Sequence, residues 1–318
     1  MLARMALPRA AAEQQPRREQ PVFCARSQLV LVPVAVIDRN GRVITGLTPD
    51  QFQVLDEHEP RPISSFWKED RPVSLGLVLD LSGSMRAVLP RAIEALRTIA
   101  QSSQPEDEAF LLTCATQPRL AADFTTDPSE LTGSLPWARA GGSTPLIDSI
   151  FSALEHLRQG AHQRRALVVI SDGDDNHSRH HFAELRRAAL EADTQIYTLG
   201  VRQSRRHRAG LYDLAELAGV TGGLHFDIDN RKDLPEAASR IALALRSTYV
   251  IGFRPAGSSG GKWRHVKVRL NPRLTKSLWD HRMTVFPDSG STPHGQRPNS
   301  ALPGALRVSA RSEYFIPE

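Results

Sequence analysis

Between Val73 and about Leu245 the chain alternates apolar runs with amphipathic stretches. "SLGLVLDL", "EAFLLTCA", "RALVVISDG" and "TQIYTLGV" are apolar almost throughout. That is the pattern of strands covered on both faces of a parallel sheet. Between them "MRAVLPRAIEALRTIAQSS" places Ala92, Leu96, Ile99 and Ala100 at helical spacing, with Pro90 in its first turns. "STPLIDSIFSALEHLRQG" reads as a helix with Thr144 at the N-cap, Pro145 at the first helical position and Gly160 as the stop. Further helices are expected at "HFAELRRAALEAD", "LYDLAELAGVTGG" and "KDLPEAASRIALALRS", with a short strand at "LHFDI". Repeated strand–helix alternation predicts an α/β fold, a doubly wound, mainly parallel sheet with helices on both faces.

Outside this region the period changes. "LVLVPVAVID" is strand-like, "RNG" is a turn, and a short helical turn at Thr48–Phe52 precedes two strands flanking "DEHEP". After the α/β region, "TYVIGFRP" and "WRHVKVRLNP" read as a hairpin joined by "AGSSGGK", and "ALRVSARSEYFIP" as a final strand. The expected division is a disordered tail or export-signal remnant at 1–26, a β module at 27–72, the α/β domain at 73–246 and β segments at 247–318. A Pro-, Ser- and Gly-rich mobile loop is expected at about 271–303. The two terminal β regions are expected to meet as one small β-sandwich-like module.

Composition narrows the class. The 318 residues are 40% hydrophobic and 24% charged, an ordinary globular balance. No run approaches the roughly 20 apolar residues of a membrane-spanning helix. The net charge of +5 owes much to arginine, densest at "RRHR" from Arg205 to Arg208, but no nucleic-acid-binding signature accompanies it. Nucleic-acid binding is therefore not expected. Cys24 and Cys114 show no metal-type spacing and leave the redox compartment open. The N-terminal stretch has a basic residue and a small-residue "AAA" but lacks the apolar core of about 7–15 residues that a signal peptide needs. No Gly-x-Gly-x-x-Gly follows a strand, so a dinucleotide site is unsupported.

The candidate chemistry lies where strands end. Asp80 closes "LVLD" and is followed by Ser82 and Ser84 at alternate positions, with Gly83 between them. Asp172 follows "VVIS", and Thr144 opens a helix after Gly141 and Gly142. Ligands of such sheets bind beyond the carboxyl ends of the strands, where all three loops are expected. Two carboxylates and three hydroxyls are hard oxygen donors. With water they nearly complete the octahedral shell of Mg²⁺, with Mn²⁺ as the alternative, and leave one position for a carboxylate from outside. The competing reading is that Asp80, Ser82, Ser84, Thr144 and Asp172 only cap helices and turns. Asp148 is expected to favour its helix dipole or to bond a loop amide or a metal-bound water. Asp174 and Asp175 read as solvated. His177 and His181 have i, i+4 spacing, but no Glu or Cys completes a zinc site.

Asp80-x-Ser82-x-Ser84, then Thr144 after Gly-Gly, then Asp172 in "SDG", resembles the metal-ion-dependent adhesion site of von Willebrand factor type A (VWFA) domains. All five positions of that motif are matched in order. The flanking "VPVAVIDRNGRVITGLTPDQFQVLDEHEPRPISSF", "LRSTYVIGFRP", "WRHVKVRL" and "LRVSARSEYF" resemble a bacterial, acidobacterial VWFA-related family, which implies an extracytoplasmic location. The 271–303 insert departs from that family's compact form. The resemblance implies that Ser82, Ser84 and Thr144 touch the metal and that Asp80 and Asp172 bind it directly or through water. It also implies a protein partner that completes the shell with an Asp or Glu, and no enzymatic activity. A regulatory subunit of an ATPase or secretion complex would use the same site. A metal-dependent hydrolase is the weaker alternative: Asp80 is its only nucleophile candidate, and Ser82 stands where a second acid would be wanted. The oligomeric state is left open.

Overall fold

The computed structural model describes residues 29–133, 135, 138–202, 208–257, 261–271 and 306–316. The expected N-terminal tail with Cys24, the arginine run up to 207, the centre of "AGSSGGK" and the insert up to 303 lie outside these residues.

The central sheet has six strands, in the order β10-β9-β8-β5-β6-β7. They are β5 (Val73–Asp80), β6 (Glu108–Cys114), β7 (Pro118–Thr125), β8 (Arg164–Ser171), β9 (Gln195–Val201) and β10 (His225–Ile228). All pair in parallel except β7, which runs antiparallel to β6 at the edge. That strand was not expected. Its positions are all partly or fully exposed, and it lacks the continuous apolar run that marks its neighbours.

Every residue of β5 is buried, and successive side chains serve opposite faces. Leu75, Leu77 and Leu79 join a core with helices α1 (Leu89–Gln101) and α6 (Leu234–Arg246). Val78 faces the opposite core, with α3 (Leu146–Leu157), α4 (Phe182–Glu191) and α5 (Arg208–Thr221). Helices thus cover both faces, as the alternation implied. A short helix, α2 (Pro128–Gly133), adds Leu131 to the first core. The four apolar positions picked out in α1 are all buried.

The chain leaves β5 for β6 and β7 on one side. It then returns to β8 on the other and continues to β9 and β10. The reversal lies between β5 and β8, the switch point where doubly wound sheets open a crevice. Asp80 ends one of these strands and Asp172 follows the other.

The remaining strands are β1 (Val30–Ile37), β2 (Phe52–Asp56), β3 (Glu59–Arg61), β4 (Ile63–Lys68), β11 (Tyr249–Phe253), β12 (Lys262–Leu270), β13 (Arg307–Ala310) and β14 (Glu313–Ile316). They form two four-stranded antiparallel sheets, β13-β1-β11-β4 and β14-β12-β2-β3. Val34, Ile251 and Phe253 of one sheet share a core with Val54, Val266 and Tyr314 of the other. The two ends of the chain therefore build one sandwich-like module. The expected hairpin is corrected: β11 and β12 belong to different sheets, and the final segment likewise divides into β13 and β14. Each junction carries the chain between the layers because the inner faces of both sheets must be filled.

Asp56 anchors this module. It is fully buried. It accepts hydrogen bonds from Tyr314 Oη at 2.8 Å, Arg264 Nη2 at 2.9 Å and the Ala256 amide at 3.1 Å. A buried carboxylate is tolerated when such partners replace water, and removing it leaves a guanidinium and a phenol unmatched. Asp56→Ala is expected to cost about 3 kcal/mol, read as a lower denaturant midpoint; an unchanged midpoint would contradict this role.

Candidate functional site

The site is built from three loops at the carboxyl end of the central sheet. Asp80 is fully buried. Its Oδ1 accepts from the Ser82 amide at 2.8 Å and its Oδ2 from Ser171 Oγ at 2.6 Å. Ser82 Oγ stands 3.0 Å from Ser84 Oγ, so alternation along the turn brings the two hydroxyls together. Asp172 is also fully buried, and its Oδ1 accepts from the Asp174 amide at 3.2 Å. Burial pushes the Asp80 carboxyl up to about 6, its hydrogen bonds to Ser171 and Ser82 oppose this, and the charge of Asp172 adds to the rise.

Thr144 is buried and held through its backbone. Its amide donates to Asn176 Oδ1 at 2.9 Å, and its carbonyl accepts from the Asn176 amide at 3.1 Å. This clamp ties the Thr144 loop to the Asp172 loop. The Gly141 amide donates to the Leu81 carbonyl at 2.7 Å and ties the same loop to Asp80-x-Ser82. Gly142 has φ +88°, and a Cβ there would meet Thr116 Oγ1 at 2.6 Å. A glycine is required at this position.

The N-terminus of α3 differs from expectation. Pro145 occupies the cap position with φ −82° and ψ 65°, and the helix begins at Leu146. Pro145 cannot supply the capping oxygen. Asp175 does so from the neighbouring loop, accepting from the Ile147 amide at 2.8 Å and from Ser178 Oγ at 2.5 Å. Asp175 is therefore a structural clamp and not a solvated loop residue. Asp148 accepts from the amides of Arg179 at 3.0 Å and His180 at 3.1 Å, and its Oδ1 lies 2.8 Å from His180 Nδ1. Burial raises its carboxyl, but these three bonds outweigh that and hold it below the usual range. Of the roles expected for Asp148, the structure displays the bond to loop amides.

Ser171, Asn176 and Ser178 were not foreseen. They share the stretch "SDGDDNHS" with Asp172, but nothing local says that Ser171 will meet Asp80 across two strands. His177 and His181 both precede α4, so helical i, i+4 geometry is not available to them. No cluster of three or more His, Cys, Asp or Glu side chains suited to a metal occurs among the described residues. Any ion here must rely on hydroxyls.

The donor set fits a small hard cation. Asp80 is a buried carboxylate with no Lys or Arg ion pair among the described residues, beside a second buried carboxylate and a pair of hydroxyls. Buried charge of this kind is expensive unless it is paired, protonated or bound to a metal.

Residues 75–174 match the model of the von Willebrand factor type A domain, and that span includes all five candidate residues. The chain contains a von Willebrand factor type A domain. Its VWFA fold is also similar to that of a solved von Willebrand factor type A protein from Catenulispora acidiphila. The two share 11% identity with a TM-score of 0.50, over 78% of this chain and 71% of that one. Weaker similarity is found to BatB from Bacteroides thetaiotaomicron, at 18% identity and TM-score 0.45 over 55% of this chain and 100% of that one. The vWF domain of the type V pili tip protein Mfa5 from Porphyromonas gingivalis gives 12% identity and TM-score 0.46 over 55% of this chain and 95% of that one. No curated protein matches the sequence.

One contact in the VWFA domain sets the Asp172 loop. Gly173 has φ +78°, and a Cβ there would lie 2.6 Å from the Gly210 carbonyl carbon. A Cβ on Gly210 would overlap the Gly173 carbonyl in turn. Gly219, in the same helix, faces open space. Gly210→Ala is therefore expected to cost about 1–3 kcal/mol, whereas Gly219→Ala gains about 0.5–1 kcal/mol from helix propensity. Thermal denaturation of the two variants checks the opposite signs; equal shifts would show that the glycine contact does not constrain the loop.

Proposed function

We propose that this chain is a metal-ion-dependent protein-interaction module. Ser82, Ser84 and Thr144 would hold a Mg²⁺ ion, or Mn²⁺ in its place, together with Asp80 and Asp172. When bound, the ion would supply an open coordination position for an Asp or Glu of a partner protein. The observation that carries this reading is the pair of buried carboxylates flanking the switch point, with the Ser82 and Ser84 hydroxyls 3.0 Å apart beside them.

Each loop has a definable task in this reading. Asp80 orders the Ser82 amide and so presets the turn that carries both serines. Ser171 orients the Asp80 carboxylate from the neighbouring strand. Asn176 fixes Thr144 against the Asp172 loop before any ligand arrives. Preset loops lower the entropy lost on binding.

The arrangement supports binding in preference to bond breaking. Asp80, the one nucleophile candidate, is buried and engaged by two donors. A metal-dependent hydrolase needs a base or nucleophile free to reach substrate. A regulatory role in an ATPase or secretion complex would use the same surface with a different partner. No described helix is long and apolar enough to cross a membrane.

Calorimetric titration of Mg²⁺ and Mn²⁺ into metal-stripped protein tests the proposal. Saturable one-to-one binding is expected in the wild type and its loss in Asp172→Ala, whose thermal unfolding is followed in parallel. Absence of binding in the wild type, or undiminished binding in a folded Asp172→Ala, overturns the metal assignment.

A further inference from the structure

Beside the candidate metal site lies a cleft of about 650 Å³ that the five residues do not use. This falls within the roughly 300–1,000 Å³ of ordinary ligand pockets. Leu81, between Asp80 and Ser82, forms part of its wall, so the cleft and the metal loop share a boundary. Thr116 and Gln117, from the turn after β6, line another side. Arg119 of β7 and Arg139 of the loop before Gly141 add two cationic groups to its lining.

The charge of this lining is one-sided. Among the described residues it includes two arginines and no Asp or Glu. Arg119 and Arg139 are both exposed, and neither side chain forms an ion pair among the described residues. Several other arginines are engaged. Arg311 pairs with Asp193, Arg246 with Asp107, and Arg202 with Asp227 and Asp229. Guanidinium groups present planar forks of donors suited to carboxylates.

The cleft is also tied rigidly to the site. The Leu81 amide donates to the Cys114 carbonyl at 2.7 Å, and the Leu81 carbonyl accepts from Gly141 at 2.7 Å. Thr116 packs under Gly142. A segment seated on the metal loop therefore has this arginine-lined recess as its immediate neighbour.

We infer that the cleft receives a second acidic side chain from the partner segment whose first carboxylate reaches the metal. The inference rests on the proposed metal-dependent binding, and it specifies the partner as a polypeptide with at least two neighbouring acidic residues. The metal position takes one carboxylate, and Arg119 and Arg139 take the other. Two such anchors discriminate against segments with an isolated acid, because the unmatched arginines gain nothing from them.

The test uses two synthetic peptides, acetylated and amidated so that their ends carry no charge. One is hexaglutamate flanked by glycine and serine, which samples every spacing. The other has a single glutamate in the same flanks. Binding is measured by calorimetry near physiological ionic strength, with saturating Mg²⁺ and with chelator. The variants are the Arg119→Gln/Arg139→Gln double substitution and a control of equal charge change, Arg97→Gln/Lys267→Gln, at exposed positions outside the cleft.

The wild type is expected to bind hexaglutamate about tenfold more tightly than the single-glutamate peptide. The cleft variant should lose the part of that preference that exceeds the statistical factor of about six for six carboxylates against one, while its Mg²⁺ titration and single-glutamate affinity stay unchanged. The control should keep the preference. Equal affinity of the wild type for both peptides overturns the inference, as does an equal loss in the control, which would mark a response to net charge. Failure to bind either peptide overturns it too. If Mg²⁺ and the single-glutamate peptide bind but the cleft variant changes nothing, the inference fails and the metal assignment stands. If no Mg²⁺ binds but hexaglutamate does, and the loss follows Arg119 and Arg139, the acidic-segment cleft stands and the metal assignment fails.

Discussion

Two carboxylates, Asp80 and Asp172, are buried together at the ends of adjacent parallel strands. The charge of Asp172 raises the cost of ionising Asp80, and no basic side chain pairs with Asp80 among the described residues. Such a pair persists only because the surrounding backbone is arranged for it. Amide donors from Ser82 and Asp174, and the Ser171 hydroxyl, take the place of water. The loops that supply these donors are held by further bonds, so the site is a property of the whole carboxyl edge of the sheet.

The loop framework follows from that burden. The Asp172 loop approaches α5 closely enough that Gly173 and Gly210 leave no room for a side chain. The same loop reaches across to cap α3 through Asp175, to grip Thr144 through Asn176 and to meet Asp148 through the amides of Arg179 and His180. A proline at the cap position of α3 makes this outside help necessary, since it leaves the helix without a side-chain cap of its own. The acidic residues crowded after β8 thus divide into two groups. Asp172 is buried just past the end of β8, while Asp175 and, from α3, Asp148 tie the neighbouring loops together.

The sandwich is joined to the same framework from below. The Ser312 amide donates to the Val220 carbonyl at 3.1 Å near the end of α5, and Ser309 Oγ donates to the Gly223 carbonyl. Arg186 of α4 bridges to Glu313 of β14. The last strands therefore rest on α4 and on α5, the helix that meets Gly173 of the Asp172 loop. Asp56 supports this platform by drawing β2 and β14 together through Tyr314, whose phenol is held well above its usual range by burial first and by its bond to Asp56.

The sequence by itself determined the elements of the central domain and the residue types at its carboxyl edge. Apolar runs, helix periodicity and turn signals are local properties, so β5, β8, α1 and the endings at Asp80 and Asp172 were legible. The edge strand β7 was not, because a half-exposed strand loses the apolar run that distinguishes it. Only the tertiary structure decided which sheet β11, β12, β13 and β14 enter, since strand partnership depends on cores assembled from both ends of the chain. It also decided that Asp175 caps α3, that Ser171 orients Asp80 and that Arg119 and Arg139 line one recess. Those contacts join residues between 20 and 91 positions apart, and no local pattern encodes a meeting that only the packed sheet brings about.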